Sequence, residues 1–234
     1  TYKNFKIVSM PPASSGGIHL IQMLNMLEEF PIKEMGFGSA DSIHILAEVM
    51  KRAYADRSKH LGDMDFYDVP FSLMSKDYSS SLNKTISIKS RTASKDVFAG
   101  DPYPYESPDT THFSVMDQYG NAVSNTYTLN FSYGSGIMIP GTGMLMNNEM
   151  DDFSSKPGVP NGYGLLGSEA NSIQAHKRPL SSMTPTIIFK DNNPYLVLGS
   201  PGGSRIITTV LQVALNVMEH DMNVAQAVNS PRIH

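Results

Sequence analysis

A chain of 234 residues, 40% hydrophobic and 17% charged, suits one large globular domain or two small ones, not a disordered or coiled-coil protein. With 18 basic and 22 acidic residues its formal charge is -4, which gives no basic footprint for nucleic acid or an anionic membrane surface. It has no cysteine, which removes disulfides, thiol catalysis and thiolate metal sites, and no apolar run reaches the roughly 18 residues a bilayer span needs.

The opening Thr1-Tyr2-Lys3-Asn4-Phe5-Lys6 lacks the apolar segment of a signal peptide and reads like an internal strand. Phe5 to Met10 is β-type and stops at Pro11-Pro12. Ser14-Ser15-Gly16-Gly17 then leads into a helix with Leu20, Met23, Leu24, Leu27 and Phe30 on one side. A second helix is predicted from Asp41, as N-cap, to about Lys59, with Ile45, Leu46, Val49 and Ala53 as its apolar stripe. From there to residue 100 the chain is polar and rich in Ser and Lys. Phe98 to Asp109 holds Gly100, Pro102, Pro104 and Pro108 and reads as an extended linker. His112–Met116 and Ala122–Leu129 pair around Gln118–Asn121, and Thr186–Lys190 pairs with Tyr195–Gly199 around Asp191–Asn193. A long buried helix from about Ser204 to Glu219 and a short one from Asn223 to Val228 complete an α+β order.

A Thr beside a strand is ordinarily there for β-propensity. Thr110 differs in standing where the Pro-rich linker meets a strand, a junction that could become a new N-terminus. An N-terminal Thr carries its own base, because an α-amine with a pKa of about 7.7–8.0 is partly neutral near physiological pH. Gly199-Ser200-Pro201-Gly202-Gly203-Ser204-Arg205 lacks the ending of a phosphate loop. It reads either as a strand-to-helix turn or as backbone N–H donors for an oxyanion. Asn147–Phe153 is a solvated turn or an ammonium-recognition cluster, without the histidine spacing or central Gly of a metal site. Asp63, Asp65 and Asp68 read as surface loop. Ser181-Ser182 is a turn or a carboxylate-binding hydroxyl pair, the seven histidines show no metal spacing, and Met23, Met50 and Met218 read as core filling.

Thr110–Val115, Thr126–Asn130, Leu145–Phe153, Lys177–Met183 and Gly199–Thr209 together resemble γ-glutamyltransferases (glutathione hydrolases) in order and spacing. Ser9–Gly17 and Tyr54-Ala55-Asp56-Arg57 resemble the end of that family's large subunit. The resemblance implies an N-terminal-nucleophile αββα four-layer sandwich and self-cleavage between Asp109 and Thr110. Residues 1–109 would then end the large subunit and 110–234 would begin the small one, the two pairing in one catalytic domain. It implies Thr110 as nucleophile, Thr128 as the hydroxyl that orients it, and Gly202 and Gly203 as oxyanion-hole donors. Asn130, Glu149 and Asp152 would hold the donor's α-amino end, Ser181 and Ser182 its α-carboxylate, and Tyr163 would belong to a lid loop.

Expected partners are glutathione and other γ-glutamyl donors, with water, amino acids or peptides as acceptors. No cofactor, metal or nucleic acid is implied, and the resemblance places the protein in the periplasm or outside the cell. Family members extend past both ends of this sequence, and the arginine that pairs with the donor carboxylate lies in a flanking part. The isolated segment is therefore expected to be inactive without partner segments. The rival activity is a related acylase on glutaryl-type amides, against which Asn130, Glu149 and Asp152 argue because such donors leave them unpaired.

Overall fold

The computed structural model describes residues 1–97 and 110–234, so the Phe98–Asp109 linker, with Asp109 itself, lies outside the described residues. The elements run β1 (Phe5–Ser9), α1 (Gly16–Leu27), α2 (Ile32–Met35), α3 (Ala40–His60) and α4 (Lys76–Asn83). They continue with β2 (Thr111–Met116), β3 (Ala122–Tyr127), β4 (Thr186–Lys190), β5 (Asn193–Leu198), α5 (Arg205–Met218) and α6 (Val224–Asn229). Among the described residues this is a mixed α/β arrangement with antiparallel strand pairing throughout.

The main sheet has the order β1-β4-β5, which brings the first strand beside one some 180 residues later in the chain, Ile7 opposite Ile188. One sheet face turns Ile188, Leu196 and Leu198 inward onto the apolar sides of α1 and α5, where Leu20, Leu24 and Leu27 meet Ile207, Leu211 and Ala214. Each such side chain fully buried contributes about 1.5–3 kcal/mol, so this helix layer fixes the sheet's orientation. The predicted stripe of α3 joins the same core through Ile45, Val49 and Ala53.

The β2–β3 hairpin sits against β4 and β5, and Ser124 Oγ ties it down by donating to Leu198 O at 2.9 Å and accepting from Thr186 N at 3.0 Å. Paired residues share a face. His112, Ser114, Ser124 and Thr126 therefore lie on one side of the hairpin and Phe113, Val115, Val123 and Tyr127 on the other, the latter four exposed.

Two readings of the sequence are corrected and one is extended. Asp41 is not the N-cap of α3; Ser39 is, its side chain accepting from Ser42 N. The polar stretch after residue 60 contains α4, capped by Ser75, where the many Ser and Lys hide a short amphipathic pattern. Asp63 is not surface loop but buried, and accepts from Arg178 Nε at 2.9 Å and Arg178 N at 2.8 Å.

Candidate active site

Thr110 stands at the entrance to β2, and the tight hairpin pairs Thr111 with Tyr127, setting Thr110 beside Thr128. Thr110 Oγ1 donates to Thr128 Oγ1 at 3.4 Å, longer than a usual hydroxyl hydrogen bond. Thr128 Oγ1 also accepts from Asn130 N at 2.9 Å. Thr110, Thr128 and Phe131 help line a cavity of about 450 Å³. Two residues along, burial holds the His112 imidazole below its ordinary pKa. That ring lies where a Cβ on Gly199 would stand, 2.2 Å from Nδ1, so the glycine lets β2 approach the turn before α5.

In that turn Gly202 and Gly203 have φ of 122° and 50°, backbone shapes that L side chains rarely adopt. A Cβ on Gly203 would lie 2.6 Å from Tyr163 Cδ1, so the tyrosine ring rests directly on the glycine. The Tyr163 hydroxyl donates to Asn130 O, and its ring meets Phe131 edge-on at 5.5 Å. Asn130 is buried at φ 75°, a conformation its short polar side chain tolerates. The glycine turn is thereby joined to Thr110 through Tyr163, Asn130 and Thr128.

Asn130 Nδ2 donates to Asn148 O at 3.1 Å, and Phe131 N to Asn148 Oδ1 at 3.0 Å, docking the acidic segment here. Within it Glu149 and Asp152 are hydrogen-bonded carboxyl groups. Burial, then the Glu149 charge alongside, pushes the Asp152 pKa well above the carboxylate range, and burial likewise raises Glu149. Two neighbouring carboxyl groups held above their ordinary pKa are chemically suited to gain a cation, which would favour their ionised forms.

Asn171 joins the acidic segment to the serine pair, donating from Nδ2 to Asp152 O at 2.7 Å and accepting from Leu180 N at 3.0 Å. Ser181 N donates to Ala13 O and Ser15 N to Ser181 O, each at 2.9 Å, so residues 13–15 brace the Ser181–Ser182 turn. Gly16 permits that approach, since a Cβ there would come within 2.3 Å of Thr184 Oγ1. Arg57 Nη2 donates to Ser182 Oγ at 3.0 Å, and its charge acts on Asp152.

The structure thus gathers Thr110, Thr128, Asn130, Glu149, Asp152, Tyr163, Ser181, Ser182, Gly202 and Gly203 into one contact network. It brings together two threonine hydroxyls, a glycine turn, an acidic pair and a serine hydroxyl pair, a set of groups chemically able to serve acyl transfer. Among the described residues, no cluster of His, Asp or Glu has the geometry to hold a metal ion. Arg57 and its partner Ser15 received no role from the sequence. The available signal was periodicity: Arg57 continues the four-residue spacing of Ile45, Val49 and Ala53 on the buried face of α3.

The sequence profile described as gamma-glutamyltranspeptidase matches residues 1–234. The glutathione hydrolase proenzyme of Escherichia coli (strain K12) is 55% identical over 234 residues, covering 100% of this chain and 40% of that protein. The acylase ACY 1 proenzyme of Pseudomonas sp. (strain SE83) is 38% identical over 234 residues, covering 100% of this chain and 39% of that protein. A crystal structure of a mutant Helicobacter pylori gamma-glutamyltranspeptidase is 65% identical at TM-score 0.53, covering 53% of this chain and 67% of that one. The cephalosporin acylase of Bacillus halodurans has a similar fold, with TM-score 0.78 at 24% identity over 99% of this chain and 39% of that one. The chain therefore spans about 40% of the length of these curated relatives.

Proposed function

The chain belongs to the γ-glutamyltranspeptidase family, and on that premise we propose that it carries the nucleophile and donor pocket of an enzyme that cleaves γ-glutamyl amides, glutathione being the expected donor. The observation that carries this reading is the joining of Thr110, through Thr128, Asn130 and Tyr163, to the Gly202–Gly203 turn.

In the precursor, Thr110 Oγ attacks the Asp109 carbonyl carbon. The acyl group moves from nitrogen to oxygen, and water hydrolyses the ester, leaving an Asp109 carboxylate and a free Thr110 amine. Residues 1–109 then end a large subunit and 110–234 begin a small one. In turnover the free amine takes the Thr110 hydroxyl proton as Oγ bonds to the donor's γ-carbonyl carbon. The N–H groups of Gly202 and Gly203 stabilise the resulting oxyanion. Collapse breaks the C–N bond, the leaving amine takes the proton, and an acyl-Thr110 ester remains for water or an acceptor amine. Asn130, Glu149 and Asp152 hold the donor ammonium, Ser181 and Ser182 its carboxylate, and Tyr163 covers the site.

The fold reading is an N-terminal-nucleophile αββα sandwich. Supporting it are the helix layer on one side of the β1-β4-β5 sheet, the hairpin on the other, and the hairpin's apolar outer face. Phe113, Val115, Val123 and Tyr127 suit a fourth, helical layer. The second reading, an acylase on glutaryl-type amides, draws on the similarity to the ACY 1 proenzyme. Against it, a donor without an ammonium would leave the Glu149–Asp152 pair unneutralised. Rates of a full-length protein on γ-glutamyl and glutaryl anilides test the choice: the first must exceed the second.

A further inference from the structure

Arg57 is 3% exposed and has no part in the mechanism above. Its Nε donates to Ser15 Oγ and its Nη2 to Ser182 Oγ, each at 3.0 Å. The adjacent carboxylate does not neutralise it, because Asp56 Oδ2 accepts from Gln22 Nε2 at 2.6 Å and from the Tyr78 hydroxyl at 2.9 Å. Among the described residues no carboxylate is ion-paired with Arg57. A buried guanidinium whose hydrogen bonds go to hydroxyls, with only through-space attraction to the Asp152 carboxyl, is short of counter-charge, and an anion bound at Ser182 would supply it.

The bond to Ser182 also has a direction. A guanidinium only donates, so Ser182 Oγ accepts from it, and the serine's own O–H is left to donate elsewhere. A carboxylate that takes that O–H meets a buried positive charge one hydroxyl behind it. Ser15 completes the device: it accepts from Arg57 and donates to Ser181 O at 2.8 Å, so both serines of the pair are fixed from the same guanidinium.

We infer that Arg57 is a positioning residue for the donor's α-carboxylate, holding the Ser182 hydroxyl as a donor and placing a buried positive charge behind it. This rests on the reading of Ser181 and Ser182 as the carboxylate grip. In a full-length protein, kcat/KM is measured for γ-glutamyl anilide and for γ-aminobutyryl anilide, which lacks the α-carboxylate. In Arg57→Gln the ratio of the two falls about tenfold or more, through KM, while kcat on the γ-glutamyl donor stays within about threefold. Arg57→Lys, which keeps the charge, recovers part of the loss and supplies the reading if Arg57→Gln fails to mature. An unchanged ratio, with both substrates losing equally, shows a purely structural role and overturns the inference. A parent protein inactive on γ-glutamyl anilide refutes instead the function on which it rests.

Discussion

Replacing Gly203 by alanine tests the joint between the glycine turn and the nucleophile. At φ 50° the new side chain meets left-handed strain, which costs an L residue roughly 1–2 kcal/mol. Its Cβ would also lie 2.6 Å from Tyr163 Cδ1 and 2.7 Å from Cε1, and overpacking of that kind costs roughly 1–3 kcal/mol. The ring has little room to retreat, since it is buried, packs on Phe131 and is held through its hydroxyl to Asn130 O. The turn must therefore move, carrying the proposed oxyanion donors with it. Loss of one such donor lowers kcat by roughly 100- to 1,000-fold, and a decrease of about 100-fold is expected for Gly203→Ala. The assay is kcat on γ-glutamyl anilide together with the melting temperature of the matured protein. Gly202→Ala is the companion, because its φ of 122° gives strain while the nearest atom, Arg205 Cβ, stands 3.5 Å away. Gly203→Ala with kcat within about twofold of the parent would refute both the clash and the oxyanion assignment.

Thr110→Ala should leave the full-length chain uncut and inactive, and Thr110→Ser should still cut, slowly; denaturing gels over time distinguish the two. Asp152→Ala should lower catalytic efficiency by about ten- to a hundredfold while sparing self-cleavage, the size of a lost charge-assisted hydrogen bond. Because burial and the neighbouring Glu149 charge hold the Asp152 pKa well above the carboxylate range, donor KM should fall as pH rises through that raised pKa and the pair ionises. Glu149→Gln removes the neighbouring charge and should move that fall to lower pH, and a KM profile unaltered by the change would exclude the electrostatic coupling of the two carboxyl groups. Arg178 holds the Asp63 carboxyl down at about 2, so its stabilisation is complete above the unfolded carboxylate range and lost as pH falls toward that value. Arg178→Met should lower the melting temperature at neutral pH, by a loss that narrows in acid as Asp63 protonates in both states.

The parts legible in the sequence were those fixed by local pattern. The stripe of α3, both hairpins and the long helix α5 follow from apolar spacing and turn residues that act within a few positions. What local pattern does not encode is partnership across the chain. Nothing in Phe5–Ser9 names Thr186–Lys190 as its neighbour, and nothing in Ala13–Ser15 names Ser181. The register shift between Ile188 and Phe189 is, by contrast, local to the β4–β5 hairpin, where Pro194 stands opposite Phe189. Asp63 illustrates the cost of this blindness. Among three aspartates it looks solvated, and only the arrival of Arg178 from far along the chain makes its burial affordable. The site motifs were visible as strings, but their convergence depends on Tyr163 and Asn171, whose contacts are long-range. Arg57 was overlooked because a charged residue on a helix is ordinarily solvated, and its hydroxyl partners come from α1's entrance and a distant turn.

The central claim is that Thr110 becomes a free N-terminal residue and then carries the acyl group. Intact-mass and peptide mass spectrometry of a purified full-length protein, before and after brief exposure to a γ-glutamyl donor with acid quench, addresses both halves at once. The predicted result is two polypeptides, the smaller beginning at Thr110, with a γ-glutamyl increment on the peptide that contains Thr110. A protein that turns over the donor as one uncut chain, or an increment on any other residue, would contradict it.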